Sequence, residues 1–354
     1  MLPIDLLKVI LPMLAAFVIG VFITPSLTTL FYSYKLWKRL PRQDGATNPT
    51  IAEEFKKLHN SDDEIRTPRV GGSIIWIATI LTVAVFMLVP ELIHNGLAQK
   101  LNFFSRNQTL LPLFGLIAGA LIGLFEDWLE IRPQTTEYSQ GLNSKYLVSI
   151  VIAIGIISGW WFYSKLGIVD IKIPFGGGRL MLGWLIIPFS VLVTLGTFSS
   201  RVIDGIDGLA GGVMATIFGA FGFIAYTQNQ IDIAALCAVL MGGILVFLWF
   251  NIPPARFYMG ETGMLGLTVA ISIIAFLTDS VLLLPIIGLP LVVTSLSSAI
   301  QITSKKYFHK KVFRVAPLHH HFESLGWSRP KITMRYWIIS VMCAVAGIVI
   351  SFFG

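Results

Sequence analysis

Long apolar stretches alternate with short polar loops along this sequence. Ten of the stretches are long and apolar enough to form helices that cross a bilayer, which takes about 20 residues. Only "TDS" separates the eighth stretch from the ninth, which is therefore the weakest of the ten. The pattern predicts an all-α integral membrane protein with about ten transmembrane helices, formed by residues 1–354 as a single domain. The predicted spans are residues 6–34, 72–95, 109–126, 146–164, 179–197, 209–227, 232–250, 262–279, 281–303 and 332–353.

Composition supports this class and excludes a soluble domain. The chain of 354 residues is 55% hydrophobic and 13% charged, whereas soluble proteins carry about 25% charged residues. Its two cysteines, Cys237 and Cys343, lie inside apolar stretches, so neither a disulfide framework nor a cysteine metal site is expected. The first span lacks a clear small-residue cleavage site, and we expect it to be a retained helix rather than a signal peptide.

The basic residues are unevenly divided between the two sets of predicted loops. The five loops that follow odd-numbered spans contain 20 of the 26 Lys and Arg residues. Cytoplasmic loops of membrane proteins carry such an excess of positive charge. We therefore expect these loops in the cytoplasm and both termini outside, and we interpret the net charge of +7 as membrane topology rather than nucleic-acid binding.

The same five loops contain nearly all of the residues that are suited to chemistry. This one-sided distribution predicts a single active site at the cytoplasmic membrane face, although loops near a membrane are polar for other reasons too. The candidate residues are Glu126, Asp127, Asp204, Asp207, Glu261, His319, His320 and His321.

The adjacent carboxylates of Glu126 and Asp127 end the third predicted span, in "LFEDWLE". Negative charge is costly near hydrocarbon and unfavourable at a helix C-terminus. A divalent cation would relieve both penalties, and Mg²⁺ typically takes one or two carboxylates and leaves positions for substrate phosphates. A pair solvated by water and lipid headgroups is the alternative.

Two further acidic motifs precede predicted helices. In "VIDGIDGLAGG", Asp204 and Asp207 would share one face if this stretch is helical, and the glycines allow a tight turn and close approach to a ligand. A turn with a helix N-cap is the alternative for this motif. Glu261 lies just before a helix N-terminus, which also attracts phosphate, and a capping role is its competing interpretation.

Three consecutive histidines in "APLHHHFESLGW" account for half of the six His residues in the chain. Their rings cannot all face one way, so only some of them would touch a substrate. Beside the basic stretch "KKYFHKKVFR", they are typical of a polyanion-binding surface, because His can donate hydrogen bonds near pH 7. A transition-metal site lacks partners at ligand spacing, and a solvated loop is the remaining alternative.

Five motifs in the same order and spacing carry a family resemblance. "TPRVGG", the acidic pair, "DGIDGLAGG", "FNIPPARFYMGETG" and "APLHHHFESLGW" resemble the motifs of the polyprenyl-phosphate N-acetylhexosamine-1-phosphate transferases. The histidine motif is similar to that of the phospho-N-acetylmuramoyl-pentapeptide transferase branch, and the resemblance covers residues 35–340 approximately. It implies ten transmembrane helices in the bacterial inner (cytoplasmic) membrane and an active site that faces the cytoplasm.

The resemblance also implies a reaction and its partners. Members use Mg²⁺ to transfer phospho-N-acetylmuramoyl-pentapeptide from UDP-MurNAc-pentapeptide to undecaprenyl phosphate, which gives lipid I and UMP. One substrate is a lipid and the other a cytosolic nucleotide, which accounts for a site at the surface of the lipid bilayer. No nucleic acid is expected as a partner, and a homodimer is open as an alternative to a monomer.

The family's residue roles are transferred only to matching positions of this sequence. Glu126 and Asp127 match the catalytic acidic pair, and we assign the role of base to Asp127. Glu261 matches the Mg²⁺-binding acid, with Asp127 expected close enough to share the metal. Lys145 would face phosphate, and Tyr258 would stack on uracil. The expected substrate-binding residues are Thr67, Lys145, Asp204, Asp207, Asn251, Tyr258, His319, His320 and His321.

Several positions depart from the family pattern. Glu stands at positions 126 and 261, where the family has Asp, and Mg²⁺ demands near-ideal octahedral geometry. We predict that Arg132 and Arg201 replace the positive charge of the family lysines that this chain lacks, since guanidinium groups suit phosphate oxygens. The other departures are Glu64 and Glu130 in place of Lys, and Phe198 and Arg201 in place of Asn.

Three other functions stay open from the sequence. A sister transferase would use another UDP-N-acetylhexosamine, and donor assays would separate the two enzymes. A transporter would keep ionisable groups near the bilayer midplane, whereas the acids here gather at one face. A catalytically inactive relative is made credible by the two Glu replacements.

Overall fold

The computed structural model describes residues 3–37, 67–93, 96–131 and 142–353. Within these ranges, nine helices are long and apolar enough to cross a membrane, and a bent pair of helices brings the number to ten. The prediction of an all-α integral membrane protein with about ten spans is confirmed.

The described ranges contain thirteen α-helices and one two-stranded hairpin. Strands β1 and β2 are antiparallel, with Ile171 opposite Leu180. Short 3-10 turns flank α6 and precede α10. The helices are α1 Pro3–Ser33, α2 Ser73–Ile93, α3 Gly96–Leu101, α4 Leu110–Ile131, α5 Ser144–Lys165, α6 Ile186–Ser199, α7 Leu209–Thr227, α8 Ile231–Asn251, α9 Gly260–Leu277, α10 Leu284–Ile287, α11 Leu289–Phe308, α12 Leu318–Ser324 and α13 Arg329–Ser351. The strands are β1 Asp170–Lys172 and β2 Arg179–Met181. The 3-10 turns are Gly183–Leu185, Ser200–Ile203 and Val281–Leu283.

The fifth span begins later than predicted. Residues 179–182 are not part of a membrane helix, because β2 occupies Arg179–Met181 and the span starts at Gly183. Gly176 and Gly178 adopt positive φ values of 73° and 75°, a backbone conformation that glycine reaches without steric cost. The chain can therefore reverse direction after β1 and pair with it.

The ninth span is broken rather than straight. Its two helical segments, Val281–Ile287 and Leu289–Phe308, are bent by 79° relative to each other at Gly288. Pro285 and Pro290 each lie in the first turn of a helix, where a residue without an N–H group is tolerated. The sequence "LPIIGLP" therefore starts two helices instead of continuing one.

Helix α9 lies at the centre of the bundle. Buried residues make up 89% of α9, compared with 17% of the most apolar stretch of α1. Among the described helices, the most extensive contact is that between α9 and α4. Because α9 is central, residues at its ends are surrounded by side chains from several neighbouring helices.

Glycines let α4 and α9 pack backbone to backbone. Gly115, Gly119 and Gly123 recur at every fourth residue on one face of α4. A side-chain carbon at Gly119 would lie 2.8 Å from the carbonyl oxygen of Leu265, and one at Gly123 would collide with the carbonyl of Glu261. Small residues allow such close approach of helices in membranes. This contact places the C-terminus of α4 beside the N-terminus of α9.

Candidate active site

Two carboxylates hold the N-terminus of α9. Asp127, at the end of α4, accepts hydrogen bonds from the backbone N–H groups of Glu261 and Thr262 at 3.1 and 2.8 Å. Asp204 accepts one from the N–H of Gly260 at 3.1 Å. These N–H groups have no partner within the helix, and the helix dipole favours negative charge here. The capping role considered for Glu261 therefore belongs to Asp127 and Asp204.

Arg201 joins the two glutamates that replace aspartate in the family pattern. Its Nη1 atom lies 2.8 Å from Oε1 of Glu261 and 3.6 Å from Oε1 of Glu126. The second carboxylate oxygen, Oε2, of each glutamate is buried without a hydrogen-bond donor, and Glu126 as a whole is only 6% exposed. Buried oxygens that lack a donor carry a desolvation penalty, so this cluster can accept a further cation.

The "TPRVGG" segment is bound to the loop that precedes α9. The N–H groups of Gly71 and Gly72 donate hydrogen bonds to the carbonyl oxygens of Tyr258 and Met259, each at 2.9 Å. A side chain at either glycine would collide with this loop, so glycine is needed for the close approach. Thr67, a predicted substrate-binding residue, begins this segment and is half-buried.

Arg69 places a second guanidinium beside the acids. Its Nη1 atom lies 3.5 Å from a carboxylate oxygen of Glu130. Burial disfavours the charged form of Arg69, but four neighbouring carboxylates together raise its pKa. The acidic residue at position 130 is therefore matched by an arginine from another part of the chain. The four carboxylates belong to Glu130, Asp127, Asp204 and Glu261.

Asn251 ties the Asp-Gly repeat to the loop before α9. Its side chain accepts a hydrogen bond from the N–H of Gly208 at 2.9 Å and donates one to the carbonyl of Phe257 at 2.8 Å. The carboxylate of Asp207 accepts a bond from the N–H of Ala255 at 3.2 Å. Both side chains support the shape of this loop, and their predicted contacts with a nucleotide stay predictions.

The environment of Asp204 differs from that of an ordinary surface carboxylate. Burial raises the pKa of Asp204 to about 6, although Arg69 and the hydrogen bond from Gly260 favour its charged form. A carboxyl group with such a pKa changes its charge closer to neutral pH than an ordinary aspartate does.

The histidine pair docks on the Asp-Gly repeat. A side-chain carbon at Gly205 would lie 2.5 Å from Nε2 of His319 and 2.9 Å from Nε2 of His320, and the two rings are 4.3 Å apart. His321 faces elsewhere, because its Nδ1 accepts a hydrogen bond from the backbone N–H of Arg314 at 3.3 Å. The expectation that the three rings cannot face one way is confirmed.

Glu323, which the sequence analysis did not select, orients His320. Its carboxylate oxygens lie 2.9 Å from Nδ1 of His320 and 2.6 Å from Nε of Arg329. Burial opposes ionisation of Glu323, but hydrogen bonds from His320 and Arg329 outweigh it and lower the pKa of the carboxyl group to about 2. The signal was present in "HHHFE", because residues three apart on a helix are neighbours.

The remaining predicted residues are less closely tied to the acids. Tyr258 is half-buried, and Arg329, at the start of α13, is within electrostatic range of it. Lys145 is exposed in the first turn of α5, a helix that packs mainly against α6. Arg132 and Glu64 lie outside the described residues. The contacts described above therefore unite the acidic and histidine candidates and do not include Lys145.

Comparison with known proteins identifies the group to which this arrangement belongs. Residues 109–279 match the family described as Glycosyl transferase family 4. The chain is 31% identical to a phospho-N-acetylmuramoyl-pentapeptide-transferase from Clostridium perfringens over 96% of each sequence. It is 34% identical to the protein of that name from Bacillus subtilis, over 85% of this chain and 88% of the relative. It is 30% identical to the protein of that name from Chloroflexus aurantiacus, over 97% of this chain and 89% of the relative.

This chain belongs to the phospho-N-acetylmuramoyl-pentapeptide-transferase family. Within that family, four of its departures from the expected pattern meet at one place. Glu126, Glu261 and Arg201 form the ion-pair cluster, and the guanidinium carbon of Arg201 lies 4.5 Å from the centre of the Phe198 ring. These four residues, which come from distant parts of the sequence, are thus neighbours in space.

The oxygens of the glutamate pair fit a divalent metal. Carboxylate oxygens are the ligands that Mg²⁺ prefers, and Oε2 of both Glu126 and Glu261 lacks a donor. Each oxygen of Asp127 already accepts a backbone hydrogen bond. Glu126, which has an oxygen without a donor, is therefore better suited than Asp127 to bind a metal together with Glu261. In the part of the chain that the structure describes, no group of three or more His, Cys, Asp or Glu side chains is placed to hold a metal. Substrate phosphate or water would have to complete the coordination shell, as is usual for Mg²⁺.

Proposed function

We propose that this protein transfers phospho-N-acetylmuramoyl-pentapeptide from UDP-MurNAc-pentapeptide to undecaprenyl phosphate, which gives lipid I and UMP in peptidoglycan synthesis. The observation that carries the proposal is the convergence of donor-free carboxylate oxygens, two guanidinium groups and a docked histidine pair at one site. Such a set suits a reaction between two phosphate-bearing substrates. The relatives from Clostridium perfringens and Bacillus subtilis carry the name of this activity.

Positive side chains bind and orient the phosphates in this proposal. Arg69 and Arg201 present planar guanidinium groups, whose paired N–H donors match phosphate oxygens. Lys305 and Lys306 are exposed in the last turn of α11 and carry further positive charge. These charges offset the repulsion between the two substrates. An oxygen of the lipid phosphate then attacks the phosphorus that carries the sugar, the bond to the second phosphate breaks, and UMP leaves.

The nucleotide is held by the loop before α9 and by α12. The backbone of Tyr258 is fixed by hydrogen bonds with Pro68 and Gly71, so its ring is presented from a rigid loop for stacking on uracil. Stacking of this kind is worth roughly 1–3 kcal/mol per base. Glu323 engages Nδ1 of His320 and so fixes that ring with Nε2 toward the Asp-Gly repeat.

Glu126 and Glu261 hold Mg²⁺ in this proposal, and Asp127 supports them by fixing the end of α9. When bound, a divalent metal neutralises phosphate charge and orients the attacked phosphorus. The lipid phosphate is already a nucleophile, so any general base needs to give only modest help. The assignment of that base to Asp127 stays a prediction.

The proposed location of the site is the cytoplasmic face of the bacterial inner membrane. It is supported by the 20 of 26 basic residues in the loops on that side. Cysteines introduced at Lys310 and at Met181, both exposed, test the orientation with a membrane-impermeant thiol reagent. In intact cells we expect labelling at position 181 only, with position 310 labelled after permeabilisation. The reverse pattern would overturn the orientation.

A product-release assay tests the reaction itself. Purified protein is given UDP-MurNAc-pentapeptide and undecaprenyl phosphate, and UMP and lipid I are measured with Mg²⁺ or with EDTA. We expect both products with Mg²⁺ and neither with EDTA. UDP-N-acetylglucosamine is the matched donor control. Turnover with that donor alone would identify a sister transferase, and binding of the first donor without turnover would identify an inactive relative.

A further inference from the structure

The cluster around Arg201 has a composition that is unusual for a site intended to hold a metal. A single guanidinium nitrogen, Nη1, contacts both Glu126 and Glu261. The Arg201 side chain is 23% exposed, and that of Glu126 is 8% exposed, so water screens their interaction only partly. A fixed positive charge therefore already occupies the space between the two carboxylates.

Phe198 helps to keep the guanidinium in this place. Its ring lies in the preceding turn of the same chain segment, with its centre 4.5 Å from the guanidinium carbon of Arg201. Phe198 is only 6% exposed. A cation over an aromatic face is stabilised, and more so where water is excluded. Phe198 and Arg201 thus form a unit directed at the glutamate pair.

The same two carboxylates would attract a guanidinium and a divalent metal. Without Arg201, two negative charges would lie close together in a largely buried place, which is costly unless a cation is present. With Arg201, one oxygen of each glutamate is neutralised, while Oε2 of each stays without a donor. A second cation can still approach those oxygens, but it meets the repulsion of the arginine.

We propose that Arg201 is an intrinsic counter-cation of the Glu126–Glu261 pair, which stabilises the pair without metal and lowers its affinity for a divalent metal. The inference rests on the proposed function only for the position of the metal. The longer Glu side chains and Arg201 are then one compensated set, in which arginine supplies part of the positive charge that a metal supplies elsewhere.

Direct metal binding tests this inference without any substrate. Mn²⁺ binding to the purified full-length protein is measured by electron paramagnetic resonance, for the wild type and for Arg201→Gln. We expect Arg201→Gln to bind Mn²⁺ about tenfold more tightly or better, because a nearby positive charge is removed. Arg201→Lys, which keeps the charge, should stay close to the wild type. Arg179→Gln, which removes an arginine from the β-hairpin, is the matched control and should not change Mn²⁺ affinity.

Thermal unfolding supplies a second readout. In EDTA, Arg201→Gln should melt at a lower temperature than the wild type, because its carboxylates repel each other. Saturating Mn²⁺ should raise its melting temperature by more than it raises that of the wild type, since a ligand stabilises the state that it binds. Phe198→Leu loosens the guanidinium without removing it and should give a smaller gain in Mn²⁺ affinity.

Three results would overturn the inference. The first is a Mn²⁺ affinity of folded Arg201→Gln that equals or falls below that of the wild type. The second is a gain in Mn²⁺ affinity in Arg179→Gln as large as that in Arg201→Gln. The third applies if Arg201→Gln does not fold, and is a Mn²⁺ affinity of Phe198→Leu that equals that of the wild type. Failure of the proposed function is distinguishable, because it appears as absent UMP release by the wild type whatever the Mn²⁺ affinities are.

Discussion

Two of the arginine–carboxylate clusters in the described residues place one arginine between two acids, and they differ in how many carboxylate oxygens have hydrogen-bond donors. Beside the β-hairpin, Arg179 donates to both oxygens of Asp170 at 2.7 and 2.8 Å and to Oδ2 of Asp279 at 2.6 Å. The remaining oxygen of Asp279 accepts the N–H of Lys172 at 3.2 Å. All four carboxylate oxygens therefore have donors, and nothing in this cluster calls for a ligand.

At the candidate site, an arginine between two glutamates leaves half of the carboxylate oxygens without donors. Arg201 makes one short contact and one of 3.6 Å, and Oε2 of Glu126 and of Glu261 is buried and donor-free. In a structural cluster the buried polar atoms have hydrogen-bond partners, whereas in a binding site some polar atoms lack a partner until the ligand binds. The contrast distinguishes a cluster whose carboxylate oxygens all have donors from the one to which we assign the proposed chemistry, although both have an arginine between two acids.

The largest expected effect comes from neutralising Glu261 in the cluster at the candidate site. Glu261→Gln keeps the side-chain size but removes the charge, and we expect turnover to fall on the order of 100-fold or more, as with other charge-stabilising groups. Asp279→Asn, the matched change beside the hairpin, should leave turnover close to wild type. UMP release over a Mg²⁺ titration measures both.

Two outcomes would contradict this assignment of Glu261. Wild-type turnover of Glu261→Gln with an unchanged Mg²⁺ midpoint would move the metal site elsewhere. Equal losses in Glu261→Gln and Asp279→Asn would remove the distinction between the clusters. Glu261→Asp, which restores the family residue, tests the fit of the longer side chain. Its inactivity would show that the site is matched to glutamate, with Glu126 as the first place to look for compensation.

The next largest effect is expected at the aromatic ring of the loop before α9. Tyr258→Ala should raise the KM for the nucleotide donor about 5- to 100-fold, since a stacking surface is lost. Tyr258→Phe keeps the ring and should behave like the wild type. Initial-rate kinetics at varied donor concentration measure the change, and an unchanged KM in the Ala variant would count against stacking on uracil.

A third prediction concerns stability at acid pH. Because the pKa of Glu323 is lowered to about 2 from an ordinary value of 4.5, this carboxylate stabilises the folded state above pH 4.5. That contribution, about 3 kcal/mol, is lost as the pH falls from about 4.5 toward 2. Glu323→Gln should therefore melt at a lower temperature than the wild type at pH 6.5, with a smaller difference at pH 3.5.

The hairpin again supplies the control for this pH dependence. A hydrogen bond from Arg179 lowers the pKa of Asp170, but water screens this exposed pair. Asp170→Asn should change the melting temperature little at either pH. A gap between the wild type and Glu323→Gln that is the same at pH 6.5 and 3.5 would show that the Glu323 carboxylate is not held by His320 and Arg329 as the structure indicates.

The smallest effect is expected from removing the arginine beside the hairpin. The Arg179 side chain is 49% exposed, and exposed ion pairs contribute little. Arg179→Gln should lower the melting temperature by about 2–4 °C and leave kcat within about twofold of the wild type, since no step of the proposed reaction uses this residue. A large loss of turnover here would mean that the two ends of the bundle are coupled.

The spans could be predicted from the sequence because hydrocarbon imposes a minimum apolar length on every helix that crosses it. The errors arose where backbone geometry overrides hydropathy. The apolar residues of β2 were assigned to the fifth span, although the glycines before them form a turn. The bend at Gly288 was missed because proline is also tolerated within membrane helices, so "LPIIGLP" is ambiguous without its neighbours.

The candidate acids could be predicted from motifs, but their partners could not. Asp127 and Glu261 are each prominent in the sequence, yet nothing local indicates that one caps the helix on which the other lies. That contact depends on the close packing of the glycine face of α4 against α9. Likewise, Arg201 was predicted to meet phosphate, whereas its contacts with Glu126 and Glu261 depend on the approach of three separate helices.

The central position of α9 has a consequence for biosynthesis. Because a chain is made from its N-terminus, α4 with its glycine face is synthesised before α9, and so are Asp127, Asp204 and Arg201. A newly made α9 therefore finds a groove, two caps for its first turn and a counter-ion for Glu261 already present. Its polar residues are sheltered from lipid by neighbours that precede it. A nascent chain that ends before α9 would instead leave the glycine face of α4 uncovered and would leave Asp127 and Asp204 without the N–H groups that donate to them in the folded protein.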